Sequence, residues 1–262
     1  MDYKQKCIEK LGELTNCSNA RLTTRGNRAI LLALEIAKGI GYRKVLVPDQ
    51  GGWLTYRQYP KRLKLEYHEL KTEYGLIDLE ELKKQKDSIL LISTFAGYAA
   101  EQPIKEISEV CKRNNLFLIE DASGALGMKR LKEEKCLGII VASFGKWKAV
   151  DLGYGGCIAS DLTLPEEKFE GVWNFSKLHQ KLCDSTRRVE TLIRITDEVK
   201  KQLGNRKIFI YHMNKKGIVA LTEKSDEVVK YCKEKGYEYT LCPRYVRINE
   251  EAISIEIKRL DV

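Results

Sequence analysis

Residues 143–160 read SFGKWKAVDLGYGGCIAS. Two lysines, Lys146 and Lys148, stand between LGIIVASF, an apolar run of strand type, and GGCIAS, which reads as a second strand. Lysine is ordinarily a surface residue. A lysine pair in a short connection between two buried strands, beside Ser143, Gly153, Gly155 and Gly156, has unusual flanks for a surface. At the mouth of an apolar sheet an amine can be desolvated, which lowers its pKa and makes it a nucleophile toward carbonyls. The residues alone leave open which lysine serves.

Working outward, short β-type runs alternate with helical ones through residue 162. ARLTT, KVLVP, LKLEYHEL, SILLIST, LFLIED, GIIVASF and GGCIAS give seven strands. Between them NRAILLALEIAKGI, IDLEELKKQ and PIKEISEVCKRNN read as helices, the last opening with Pro and closing with Asn. This is the pattern of an α/β fold with a mostly parallel seven-stranded sheet flanked by helices. Ligands of such sheets bind beyond the carboxyl ends of the strands. We expect residues 1–162 to form this large domain. Residues 163–262 are expected to form one or two linking helices and a small α+β domain. Its strands are sought in KIFIYHM, GIVALTE, YEYTLC, YVRIN and AISIEIKRL, with DEVVKYCKEKG as its helix.

Composition narrows the class. The 262 residues are 43% hydrophobic and 32% charged, an ordinary globular balance. The net charge of +9 permits an anionic partner, but the basic residues are scattered and carry no RNA-binding signature. Nucleic acid is not expected. Eight cysteines form no C-x-x-C pair, which suits reduced, buried thiols in the cytoplasm. The N-terminal MDYKQKCIEKLGEL reads as an amphipathic helix rather than a signal peptide, and no apolar run is long enough to span a bilayer.

The strand ends carry the chemistry. TTRGNRA is a strand, a glycine and a helix start, where free N–H groups and Gly26 make room for an anion. LFLIED ends in Glu120 and Asp121, and a carboxylate at a buried strand end needs a cationic partner. Asp121 taken alone reads as a turn cap; its other role is to meet a protonated ring nitrogen. No His or Cys/Asp cluster accompanies it, so no metal is expected. Glycine at a helix N-terminus, a strand-end Asp and a strand-end Lys together describe a site for pyridoxal phosphate.

At this point the sequence resembles fold-type I pyridoxal-phosphate enzymes, and among them the DegT/DnrJ/EryC1/StrS group of aminotransferases. That family has a Ser-Phe pair, a Lys four residues after the Phe, and Gly-x-Gly-Gly starting five residues later. Ser143-Phe144, Lys148 and Gly153-Tyr154-Gly155-Gly156 match it. The resemblance therefore selects Lys148 over Lys146 as the Schiff-base lysine and implies a phosphate role for Ser143. IEDASGALG matches the family's Glu-Asp-Ala strand end and implies Asp121 as the pyridinium partner. TTRGNRAILLAL resembles the Ser-Gly-Thr-Ala-Ala-Leu segment, implying phosphate contacts from Gly26 and the amides of Asn27 and Arg28. VPDQGGW resembles the stretch whose aromatic residue stacks on the cofactor, implying Trp53.

The chain also departs from the family. Gly124 stands where Gln or His usually lies near the cofactor's phenolic oxygen, and Tyr154 replaces an acidic residue. The N-terminal arm and second domain are short, which questions a nucleotide-sugar substrate. His68, His179 and His212 are isolated in sequence; His68, in an alternating strand, reads as structural, and His212 after KIFIY reads as a partly buried, satisfied histidine in preference to one facing the cleft. Arg244, Arg247 and Lys258 are candidates for a substrate carboxylate, with no motif to choose among them, while SKLHQKLCDSTRR reads as a solvated helix face. The resemblance implies an aminotransferase exchanging an amino group between a small amino donor and a keto or keto-sugar acceptor. Lyase, aldolase or racemase chemistry would use the same lysine, and a binding or regulatory protein could keep the fold without turnover. A homodimer is expected, because a cofactor at an open sheet edge needs a cover against water.

Overall fold

The computed structural model describes residues 2–166 and 173–262. All seven expected strands form one sheet: β1 (Asn19–Thr23), β2 (Lys44–Pro48), β3 (Glu66–Leu70), β4 (Ile89–Ser93), β5 (Phe117–Asp121), β6 (Ile139–Ser143) and β7 (Gly156–Ser160). Their order is β1-β7-β6-β5-β4-β2-β3. β7 runs antiparallel to both neighbours, and the remaining pairs are parallel. Because β7 reverses, β6 reaches it through a loop at the carboxyl edge of the sheet. That loop carries both lysines.

Alternation of side chains across the strands splits the core. Val45, Val47, Ile89, Leu91, Ile119 and Val141 face the helix Gly26–Gly39, which buries Ala29, Ile30, Ala33 and Leu34. On the other face Leu46, Leu90, Ile92 and Leu118 meet the helix Ile104–Arg113. Each such Leu, Ile or Val contributes ~1.5–3 kcal/mol by leaving water. The N-terminal helix Tyr3–Thr15, capped by Asp2, packs on the long helix Phe175–Asn205. That packing corrects one expectation. SKLHQKLCDSTRR is half core, with Leu178, Leu182, Ser185 and Arg188 buried.

The small C-terminal part is an antiparallel sheet of Ala220–Glu223, Ala252–Ile255 and Tyr239–Leu241 with the helix Asp226–Lys235. Two expected strands are absent. Lys207–Met213 makes only an isolated bridge at Ile210. YVRIN is a loop, with Tyr245 and Arg247 in the left-handed region that strands exclude. Arg244 and Arg247 therefore lie on this loop, and Lys258 lies in the short turn Ile257–Arg259 rather than on a strand.

The loop returns to the main sheet. Gly51 N–H donates to Arg247 O at 2.9 Å, and Asn249 N–H donates to Gln50 Oε1 at 2.9 Å. Ile248 lies against Gly51, Gly75 and Gly97, where an added Cβ would come within 3.3 Å of it. Among the described residues no helix is long and apolar enough to cross a membrane.

Candidate active site

The phosphate end is built by close packing. The helix Gly26–Gly39 starts from extended Arg25, and Gly26 sits on Ser143 so tightly that a Cβ would lie 2.5 Å from Ser143 Cβ. Register explains the approach: Gly156 of β7 pairs with both Thr23 and Ser143, bringing the end of β1 beside the end of β6. A Cβ on Gly156 would lie 2.7 Å from Gly26 N. The glycine cluster is thus a packing requirement as well, with Gly153 and Gly155 at φ 93° and 85°. Ser143 Oγ accepts from Gly145 N–H at 3.1 Å. The Arg28 amide bonds to Arg25 O at 3.0 Å and its guanidinium pairs with Glu35 at 3.0 Å. Asn27 Oδ1 accepts from Trp53 Nε1 at 2.9 Å.

Strand alternation separates the two carboxylates at the end of β5. Glu120 is paired with Arg130 and accepts from Thr94 Oγ1 at 2.7 Å. Asp121, 8% exposed, has only neutral hydrogen-bond donors among the described residues: Tyr56 Oη at 2.9 Å, Ser123 N–H at 2.9 Å and Ser123 Oγ at 2.5 Å. A buried carboxylate without a cation bonded to it is costly, so Asp121 suits a cationic ligand. Ser123 Oγ also accepts from Ser143 N–H at 2.9 Å, tying the two ends of the site together. Burial, and then Asp121, push the Tyr56 hydroxyl well above its ordinary pKa.

Lys146 is exposed and Lys148 half-buried. Lys148 Nζ donates to Tyr98 Oη, lies 4.6 Å from the Tyr98 ring centre and 5.6 Å from that of Trp53. The expected depression of its pKa is not found. Burial acts downward, but Tyr98, Asp121 and Glu256 outweigh it and hold the Lys148 ammonium above its ordinary value. Near Lys148 it is Lys258 whose amine is depressed. Burial takes it down to about 8 despite its pairing with Glu256, and it lies 5.1 Å from the Tyr98 ring.

Beside Asp121 lies a chamber of about 30 Å³ walled by Trp53, Tyr56, Tyr98, Ser123, Gly124 and Tyr245. Across Trp53 a cleft of about 440 Å³ opens, lined by Arg57, Arg244, Arg247, Gln50 and Asn249. Arg247 stacks 5.4 Å from Trp53, its Nε is buried without a hydrogen-bond partner, and burial and Arg57 lower its pKa. Arg244 is exposed against Tyr245. His68 is exposed on β3, His179 packs on Tyr3, and His212 Nε2 lies 3.1 Å from Tyr74 O. Tyr154 holds Asn174 N–H at 3.0 Å. Among the described residues no group of three or more His, Cys, Asp or Glu side chains is arranged for a metal ion.

A family model for the DegT/DnrJ/EryC1/StrS aminotransferase family matches residues 2–181. The chain belongs to this family. A second model, the MJ1341 family C-terminal domain, matches residues 186–262. A curated relative, UDP-4-amino-4,6-dideoxy-N-acetyl-beta-L-altrosamine transaminase of Campylobacter jejuni, is 32% identical over 130 residues, 47% of this chain and 34% of the relative. The match thus spans about a third of that relative's length. Among solved structures, a DegT DnrJ EryC1 StrS aminotransferase from Brucella abortus aligns with TM-score 0.72 at 15% identity, covering 98% of this chain and 85% of that one. 3-Amino-5-hydroxybenzoic acid synthase aligns with TM-score 0.71 at 16% identity over 98% and 86% of the two chains. NtdA of Bacillus subtilis, solved with PMP, gives 0.72 at 14% identity over 98% and 72%. At these identities the structural likenesses establish the fold, as expected from the strand pattern.

For this DegT-family chain the donor set fits pyridoxal phosphate: an amine, a buried carboxylate lacking a bonded cation among the described residues, and a helix N-terminus packed through Gly26 against Ser143. The 30 Å³ chamber holds no more than about one water. The chamber shares Gly52, Trp53, Tyr56 and Tyr245 with the larger cleft, so a pyridine ring beside Asp121 would reach it from that side. Tyr56, Tyr98 and Ser123 escaped sequence reasoning. Ser123 could have been found from its place two residues after Asp121, whereas neither Tyr98 nor Tyr56 gives a signal in the sequence.

Proposed function

We propose that this chain is a pyridoxal-phosphate-dependent aminotransferase. The observation that carries the reading is the convergence of Lys148, a cation-poor Asp121 and the Gly26–Ser143 contact at the ends of β5, β6 and β1. Lys148 would hold the cofactor's aldehyde, Asp121 its ring nitrogen, and Gly26, Asn27 and Ser143 its phosphate, with Trp53 against the ring. When bound, the cofactor supplies an electron-accepting ring through which an amino group passes between an amine and a carbonyl. The chain's own residues do the rest. Asp121 favours a protonated ring nitrogen by placing negative charge beside it. The Lys148 amine would take the proton from Cα of the amino donor in one half-reaction and deliver a proton to Cα of the product formed from the keto acceptor in the other. Arg247 would offer positive charge to an acidic group of the substrate in the 440 Å³ cleft, beside Arg57, which is itself ion-paired with Glu69 at 3.0 Å.

The loop Pro243–Asn249 covers this mouth from within the same chain, excluding water. Residues 1–162 form the cofactor-binding part in this reading, and residues 163–262 the part that closes it. A keto-sugar acceptor is supported by the transaminase relative. A homodimer would complete the cover on the side of the cleft that the loop leaves open. The small chamber favours a second reading, a cofactor-free binding protein. Titrating the purified protein with pyridoxal phosphate, then screening amino donors and keto acids by absorbance, decides. We expect a yellow protein whose colour responds to donors, with Asp121→Ala retaining the cofactor and losing most of the turnover. A protein that stays colourless at saturating cofactor refutes the proposal.

A further inference from the structure

Position 124 holds glycine, and the structure shows what occupies the space a side chain there would need. A Cβ on Gly124 would lie 2.9 Å from Tyr98 Cδ1 and 3.0 Å from its Cε1. The Tyr98 ring fills that volume, and Tyr98 reaches it from a different element, the tight turn between Phe95–Ala96 and Ala100–Glu101. Its backbone is held in the left-handed region at φ 63°, a conformation that tyrosine adopts at a cost. What over-determines it is the small domain: Tyr98 O accepts from Ile218 N–H at 2.8 Å and Val219 N–H at 3.2 Å. Strain held by long-range contacts, with the hydroxyl on Lys148 Nζ, marks a placed group.

We propose that Tyr98 is the functional substitute for the side chain missing at position 124, its hydroxyl partnering Lys148 and, in the loaded protein, the cofactor's phenolic oxygen. The inference rests on the function proposed above and adds a residue to it. The chemistry follows from connectivity. In pyridoxal the phenolic oxygen is ortho to the aldehyde carbon. A hydroxyl bonded to the amine that takes that carbon is therefore within reach of that oxygen. Both states use the same hydroxyl, as acceptor toward the Lys148 ammonium and as donor toward a phenolate.

The charged and titratable groups facing Tyr98 come from every element around it. They are Lys148 from the β6–β7 loop, Asp121 from β5, Tyr56 from the helix Thr55–Arg62, and Lys258 with Glu256 from the C-terminal segment. Tyr98 is among the groups that raise the Lys148 pKa. Removing the hydroxyl thus has opposite effects in the two states. Without cofactor, Lys148 loses an acceptor and becomes easier to deprotonate. With cofactor, the phenolate loses a donor, and the deprotonated chromophore is disfavoured.

The test is Tyr98→Phe, which keeps the ring and its packing. In the cofactor-free protein, the pH dependence of Lys148 labelling by an amine-reactive reagent, read by peptide mass spectrometry, should shift to lower pH. In the loaded protein, the midpoint of the pH-dependent colour change should shift up by about one unit. Loosened packing would not give shifts of opposite sign. A swap adds a second line: Gly124→Gln should be poorly tolerated beside Tyr98, while Tyr98→Gly with Gly124→Gln together should bring the colour midpoint back toward wild type. Unchanged midpoints in Tyr98→Phe, with wild type loaded, overturn this inference alone. Gly124→Gln tolerated equally with either residue at 98 does the same. A wild-type chain that takes up no cofactor overturns it together with the proposed function.

Discussion

Arg188 sits on the buried face of the long helix and joins the two ends of the site by their backbones. Its guanidinium donates to Leu260 O at 3.0 Å and Lys258 O at 3.2 Å, with longer contacts to Lys148 O and Val262 O, each at 3.4 Å. Replacing it with Met keeps most of the aliphatic packing and removes every donor. The two shorter bonds have a charged donor, and such bonds contribute roughly 1.5–3 kcal/mol each. Burial lowers the Arg188 pKa, so part of that gain offsets a desolvation cost that Met does not bear. The net expected loss for Arg188→Met is about 2–4 kcal/mol, measured by urea unfolding with linear extrapolation. Cofactor affinity should fall as well, because Lys148 and the Lys258 turn lose their common anchor. Arg188→Lys should recover only part of the loss, since a point ammonium cannot reproduce the planar fork. A stability loss under about 1 kcal/mol, a value typical of exposed contacts, would refute the reasoning.

Gly26→Ala should lower cofactor affinity at least tenfold in a binding titration, because its Cβ meets Ser143 Cβ at 2.5 Å, and should cost ~1–3 kcal/mol by overpacking. Gly39→Ala is the control: nothing lies within 4 Å of its added Cβ, and a gain of about 0.4–1 kcal/mol is expected. Burial depresses Lys200 to about 8, and its Nζ donates to His212 O at 3.0 Å and Lys215 O at 2.6 Å. Between that value and the ordinary lysine range the unfolded chain binds more protons, so stability should rise with pH across the window. The neutral amine keeps two N–H donors for its two acceptors. Lys200→Met should flatten the rise in thermal melts from pH 8 to 10, and a slope equal to wild type would count against it.

The central strands were legible because buried strands leave continuous apolar runs, and the edge strand β3 because it alternates; none of the seven was missed. Lys148 was singled out from Lys146 by the family resemblance of its spacing and not by the residues alone, while Gly153, Gly155 and Gly156 beside it are required by backbone conformation and close packing. What escaped has a common physical origin in contacts distant along the chain. YVRIN alternates like a strand, yet Ile248 packs it against Gly51, Gly75 and Gly97, and Tyr245 and Arg247 adopt left-handed backbone. Arg188 reads as one more charge on a solvated helix until the C-terminal carbonyls are brought to it. Tyr98 lies at a turn without a motif, and only the contact with Gly124 gives it meaning. The helix Thr55–Arg62 is polar and carries Pro60, so its buried Tyr56 was invisible to periodicity.

The central claim is that Lys148, rather than its exposed neighbour Lys146, holds the cofactor opposite Asp121. Its most direct test is borohydride reduction of the protein loaded with pyridoxal phosphate, followed by proteolysis and mass spectrometry of the peptide that contains both lysines. The account predicts a single cofactor adduct on Lys148, present in Lys146→Ala and absent in Lys148→Ala. An adduct on Lys146, or labelling that persists unchanged in Lys148→Ala, would contradict it.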